Sequence, residues 1–200
     1  MKRPRRAGAG YTRRVQEGAY QWTNDGRTIF MATRSIGQIE EGPVGFSAAA
    51  VDQGGVSWRF KPLEAAWPCV LITRPVDRRL VTDGADGGGE GRVVRAKVLG
   101  DTPIETVAFS TDGTSWHPME RSSGDAAVWE APLLGPATVL TVRARDAEGR
   151  ADQDVVETPD ASWKPATGAA DGSDRDRIGA WPAKGLLETQ LGPNRNGRKW

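Results

Sequence analysis

The sequence predicts an all-β chain, and three observations carry that expectation. Twenty-five glycines and 13 prolines punctuate 200 residues, so the segments between breakers are short. Those segments are rich in β-branched and aromatic residues, and several alternate apolar with polar at period two. No stretch of useful length carries the 3.6-residue apolar spacing of an amphipathic helix.

Residues 1–14, MKRPRRAGAGYTRR, hold six Lys or Arg and no acid, and read as a disordered basic segment. A first β block follows over 15–77. The turn NDG (24–26) precedes RTIFMAT (27–33), a short apolar strand. A polar loop with the adjacent pair Glu40 and Glu41 leads to VGFSAAAVD (44–52), a second strand. DQGG (52–55) then turns into VSWRFK, where Val56, Trp58 and Phe60 share one face and Ser57, Arg59 and Lys61 the other. That alternation predicts a half-buried antiparallel strand. CVLIT (69–73) is one more apolar strand. Pro62, Pro68 and Pro75 punctuate this region, and TDGADGGGEG (82–91) reads as a hinge near the domain boundary.

The second block, 78–157, has strands at regular spacing. RVVRAKVL (92–99) sets Val94, Ala96 and Val98 against Arg95 and Lys97. TVAFS (106–110) runs into Asp112-Gly113, a hairpin signal, and resumes at Ser115-Trp116. AVWEA (127–131) follows, and TVLTVRARD (138–146) alternates Leu140, Val142 and Ala144 with Thr141, Arg143 and Arg145. AEGR (147–150) turns into a last strand ending near Glu157. Short strands with turns every 8–12 residues predict an immunoglobulin-like sandwich. Residues 158–200 form a Pro/Gly/Ala/Asp-rich linker and an irregular tail that regains Trp181, Leu186, Leu187, Leu191 and Trp200.

Composition excludes several functions. Lys plus Arg exceed Asp plus Glu by only 27 to 26, so no global field draws nucleic acid or membrane. No apolar run nears the ~18 residues of a membrane helix, and the basic start lacks the apolar core of a secretory signal. A cytoplasmic chain is the expectation. One cysteine, Cys69, excludes an internal disulfide, and one histidine, His117, excludes a His-rich metal centre.

Candidate chemistry is sparse. His117 in TSWHPM has no partner in sequence to make it a base or ligand, and reads as a surface residue. Cys69 in PCVLIT has no adjoining basic group to lower its pKa, and reads as a small buried hydrophobe. Glu40 and Glu41, as neighbours in an extended chain, point apart and make a poor acid–base pair. DGADGGGEGR lacks the Lys-Ser/Thr and the helix of a phosphate loop. The aspartates of 152–176 lack the alternate spacing and final Glu of a calcium loop. The eight tryptophans read mostly as core anchors, with Trp116 and Trp129 the candidates for a sugar-stacking platform.

Longer strings carry a resemblance. TIFMATRSIGQIEEGPVGFS, VSWRFKPL and the closing GLLETQLGPNRNGRKW resemble the C-terminal part of bacterial calcineurin-like metallophosphoesterases. VAFSTDGTSWHPM and LTVRARDAEGRAD resemble an appended immunoglobulin-like module. The resemblance implies that 15–77 are the last strands of a phosphoesterase β core. It also implies a divalent metal pair in the full-length family, held by D-x-H, G-D, G-N-H-D/E, a lone His and G-H-x-H. None of the His-bearing motifs is present, and the Gly-Asp pairs at 100–101 and 124–125 fall in the sandwich block. No catalytic, cofactor-binding or metal residue is therefore assigned, and no cofactor is expected in this chain. The expected reading is a C-terminal fragment without the catalytic portion, inactive alone. Its Val56/Trp58/Phe60 face would be left open for self-association or for a catalytic partner meeting residues 15–77. Two other readings are an immunoglobulin-like carbohydrate- or protein-binding module, and a sandwich dimerisation domain like those of molybdopterin oxidoreductases, which STDG-SW and VRARD-EG also resemble.

Overall fold

The computed structural model of the chain describes residues 21–24, 29–32, 45–52, 55–81, 93–133 and 135–158. These residues are all-β, with no α-helix among them. Strands β1 (Gln21–Asn24) and β2 (Ile29–Ala32) form one antiparallel pair. β3 (Gly45–Asp52) and β4 (Gly55–Pro62) form another. Then come β5 (Cys69–Arg74), a 3-10 turn at Arg78–Leu80, β6 (Val93–Leu99), β7 (Ile104–Ser110), β8 (His117–Pro118), β9 (Glu120–Arg121), β10 (Val128–Pro132), β11 (Val139–Asp146) and β12 (Ala151–Glu157).

Eight of these strands make two four-stranded antiparallel sheets, ordered β5-β6-β10-β9 and β12-β11-β7-β8. One core fills the space between them. Val70, Ile72, Val94, Ala96 and Trp129 come from the first sheet; Phe109, Leu140, Val142, Ala144 and Val156 come from the second. The predicted alternation of β6 and β11 is the one observed, with Val94, Ala96, Val98, Leu140, Val142 and Ala144 all buried. Both predicted turns form as well. Gly113 (φ +75°) and Gly149 (φ +79°) take the left-handed backbone that a side chain would strain.

Two short strands escape sequence patterning. β8 and β9 have two residues each, too few to show a period, yet they close one side of the sandwich. The chain leaves the second sheet at Pro118 and enters the first at Glu120. Met119, between them, is buried in the core, and its amide donates to the Val107 carbonyl at 2.9 Å.

The block boundary near 78 meets a sheet that crosses it. Cys69–Arg74 lies in the first predicted block, but β5 is hydrogen-bonded to β6 (Cys69↔Leu99, Val70↔Val98) and belongs to the sandwich. Cys69 to Thr73 are all buried: Val70 and Ile72 face the core, while β3 and β4 pack against β5. A strand covered on both faces reads as a continuous apolar run, which is what CVLIT is.

β4 departs from its predicted half-buried pattern. Ser57 and Lys61 are buried, whereas Val56 and Phe60 are only half-buried. The polar face of β4 is turned to protein: Arg59 donates to the Val70 carbonyl at 2.9 Å, and Lys61 Nζ to the Ala66 carbonyl at 2.7 Å. The Lys61 ammonium also sits 4.9 Å from the centre of the Trp67 ring. Trp58 is 0 % exposed, so the expected apolar patch is not open at that residue.

Trp58→Ser is accordingly expected to cost about 3–5 kcal/mol, as large-to-small core changes do. Urea unfolding followed by circular dichroism measures this. An unchanged midpoint, or a larger soluble monomer fraction, would mean that Trp58 is not a core residue.

Candidate functional site

The charged side chains concentrate along the seam where β5 of one sheet runs beside β12 of the other. β12 alternates, with Ala151 and Gln153 exposed and Asp154 and Val156 buried. The carboxylates on its inner side take the place of ladder partners for β5. Asp152 accepts the Val70 amide at 2.8 Å, and Asp154 accepts the Ile72 amide at 2.9 Å. Further along, the direction reverses: Asp77, before the 3-10 turn, accepts the Glu157 amide of β12 at 2.9 Å. Asp77 also accepts the Arg79 amide, capping the turn. Arg78 and Arg79 both pair with the Glu157 carboxylate.

Arg59 of β4 locks the seam from outside. Its guanidinium is bidentate to Asp152, with Nη2–Oδ1 at 2.9 Å, while Nη1 also donates to the Val70 carbonyl. Burial opposes the charge on Arg59, but the Asp152 carboxylate outweighs it and raises the guanidinium pKa. A second tie joins the β3–β4 hairpin to the sandwich. Asp52 accepts the Thr73 hydroxyl at 2.9 Å and pairs with Arg95 at 3.2 Å, and Arg95 also reaches Glu130 at 3.2 Å. A third cluster holds the β11–β12 turn. Asp146, 0 % exposed, accepts the Glu148 and Arg150 amides and pairs with Arg150 Nε at 2.7 Å. Burial pushes the Asp146 carboxyl up, but the Arg150 bonds prevail and hold it below the ordinary range.

The residues singled out from sequence do not converge. His117 is exposed on β8, its ring centre 5.1 Å from that of Phe109. Cys69 is buried, and burial pushes its thiol up against the opposing pull of Arg59. Trp129 lies in the core with the Arg121 guanidinium 4.6 Å from its ring centre, whereas Trp116 precedes β8 on the other sheet and lies under Arg143 at 3.8 Å. They make no shared platform for a sugar. Glu40, Glu41, the Gly-rich hinge at 82–91 and the aspartates beyond 158 lie outside the described residues. Asp152 and Asp154 are seam acceptors. Their legible signal was an acid at each of two inward positions of a strand.

Among the described residues, the carboxylates of the two Gly-Asp pairs are not placed to hold a pair of divalent metals. Asp101 is paired with Arg150, and Asp125 is occupied by the Ala127 amide and by Lys97 at 3.1 Å. Among the described residues, no group of three or more His, Cys, Asp or Glu side chains is placed to hold a metal ion. No helix among them is long and apolar enough to cross a membrane.

No protein-family model matches the chain, and no curated protein does. Among solved structures, the chain is similar to a modular endo-β-1,4-mannanase from Cellulomonas fimi. The identity is 24 %, the TM-score 0.33, and the match covers 48 % of this chain and 20 % of that one.

Two outcomes follow from the acids. Asp154→Ala strands the buried Ile72 amide and is expected to cost about 1–3 kcal/mol, with Asp154→Asn, which keeps an acceptor, costing less. Chemical denaturation of the two variants checks the order; equal, negligible losses would remove the seam role.

The second outcome concerns pH. Backbone amides of Ser115 and Thr114 hold Asp112 below the ordinary carboxylate range; the Ala127 amide and Lys97 do so for Asp125, and Arg150 for Asp146. A depressed carboxyl stabilises fully above its unfolded pKa of about 3.9, and that contribution is lost as pH falls toward the folded value. The thermal midpoint should therefore hold steady from pH 7 to 5 and drop below about pH 4. A midpoint that rises on acidification contradicts this.

Proposed function

We propose that this chain is a non-catalytic C-terminal part of a calcineurin-like metallophosphoesterase, in which an immunoglobulin-like sandwich braces the last strands of the phosphoesterase sheet. The observation that carries the proposal is the attachment of β3 and β4. Their sequences, VGFSAAAVD and VSWRFK, lie within the strings that resemble the phosphoesterase, and Arg59 and Asp52 bind them to β5, β6 and β12 of the sandwich. The sheet order also supports the immunoglobulin-like reading. β5-β6-β10-β9 matches strands A, B, E and D of that fold, and β12-β11-β7 matches G, F and C.

Hydrolysis of a phosphoester by two metals needs ligands that hold the ions and lower the pKa of a bound water. One histidine in 200 residues cannot supply the family's set, so the chemistry would come from residues outside this sequence. A catalytic partner would meet the chain through 15–77, where Val51 (78 % exposed) and Leu63 (60 %) offer apolar contact. The dimerisation-domain alternative needs a broad apolar face on the sandwich; there, among the described residues, Val139 alone is an exposed large hydrophobe.

The expected outcome is no turnover of an aryl phosphate or a bis-aryl phosphodiester by the purified chain with Mn²⁺, Fe²⁺ or Zn²⁺. Turnover that survives repurification and is abolished by a chelator would overturn the proposal.

A further inference from the structure

Most arginines of the described sandwich are committed to named acids or carbonyls, but two on β11 are not. Arg143 and Arg145 stand two residues apart on the outer face of β11, both exposed. Among the described residues neither guanidinium makes an ion pair or a hydrogen bond. Their cross-strand neighbours are uncharged: Ala108 and Gln153 flank Arg143, and Thr106 and Ala151 flank Arg145. The nearest acids along the chain are already used, Asp146 and Glu148 by Arg150, Asp152 by Arg59, and Asp154 by the Ile72 amide.

Arg143 is also preorganised. Ala108 lies beside it on β7, and beyond Ala108 comes Pro118 of β8. The small Ala108 side chain lets Arg143 lie across β7 and set its guanidinium 3.8 Å from the centre of the Trp116 ring. The ring holds the cation in place, and its N–H groups, with no side-chain hydrogen bond among the described residues, are available to a carboxylate, which a guanidinium takes in bidentate fashion.

We infer that this outer face docks an extended acidic polypeptide, with carboxylates at alternate positions meeting Arg143 and Arg145. The charge is complementary and the spacing agrees. Two arginines at i and i+2 of a strand are about 6.8 Å apart, the same repeat at which an extended peptide presents side chains on one side. Nucleic acid fits less well, since affinity for a phosphate backbone comes from neutralising many phosphates together and this face offers two cations. The inference is independent of the phosphoesterase lineage.

The test is fluorescence anisotropy with the full chain at low salt and three labelled probes: an alternating Glu-Ser octapeptide, its Lys-Ser counterpart, and oligo-dT of equal length. Binding of the Glu-Ser peptide alone is expected, weakening as salt rises. It should fall at least about ten-fold in Arg143→Ser/Arg145→Ser, and less in Arg143→Lys, which keeps charge without the planar fork. NMR of the unsubstituted protein provides a readout that needs no variant: the peptide should shift the Thr106, Ala108, Arg143 and Arg145 amides. No Glu-Ser binding at low salt, equal binding by the serine variant, or shifts elsewhere would overturn the inference. Tighter binding of oligo-dT through the same arginines would also overturn it, in favour of a nucleic-acid surface.

Discussion

An edge strand has amides that must find acceptors, and the architecture of this protein turns on how β5 finds them. β5 pairs with β6 on one side only. Its other side faces β12 of the opposite sheet, and there Asp152 and Asp154 supply the acceptors that a ladder would otherwise provide. An unsatisfied buried amide costs free energy comparable to a lost hydrogen bond, so these two carboxylates make burial of β5 possible. Burial of β5 in turn places Val70 and Ile72 in the core and gives β3 and β4 a surface to cover. Arg59 completes the arrangement by balancing the charge of Asp152 and satisfying the Val70 carbonyl, which joins three elements at one point.

The opposite side of the sandwich is closed by covalent continuity. β8 and β9 are consecutive and belong to different sheets, and Met119 between them fills the core. Side-chain acceptors close one seam and the chain itself closes the other. Among the described residues, the edges of the sandwich are thus engaged by side chains or by the chain itself, which leaves the sheet faces and loops as its freer surfaces.

The legible part of the fold was the part set by local period. Inward Val94, Ala96 and Val98 and inward Leu140, Val142 and Ala144 declare their faces because each strand has one apolar and one polar side. The Asp112-Gly113 and Glu148-Gly149 turns declare themselves through backbone that favours glycine. What was not legible depends on partners distant in sequence. VSWRFK has the same alternation as a solvent-facing strand, but Arg59 finds Asp152 93 residues away, so its polar face turns to protein. CVLIT carries no sign of which block it joins, since a short apolar run satisfies any doubly covered position. β8 and β9 are too short for any period. The candidate site fared similarly: the spacing of Asp152 and Asp154 was in view, yet their role depends on a strand about 80 residues earlier.

The distribution of charge separates structural from recognitional groups. Arg59, Arg79, Arg95 and Arg150 each engage acids that are buried or half-buried, where a carboxylate left alone would be costly. Removing one of these arginines takes the balancing charge from an acid that keeps only uncharged or more exposed donors, so each serves the fold. Arg143 and Arg145 balance no such acid. They rest on an exposed face, and one of them has its guanidinium 3.8 Å from the centre of an aromatic ring. On the polar side of an alternating strand, a cation that balances no buried acid and is held against a ring is free to meet an outside anion, and its restricted motion lowers the entropy cost of that binding. The same comparison explains why the single histidine and single cysteine carry so little weight. His117 lies against Phe109 at the sandwich edge and Cys69 is sealed beneath the β3–β4 hairpin, and neither has an oriented partner with which to act.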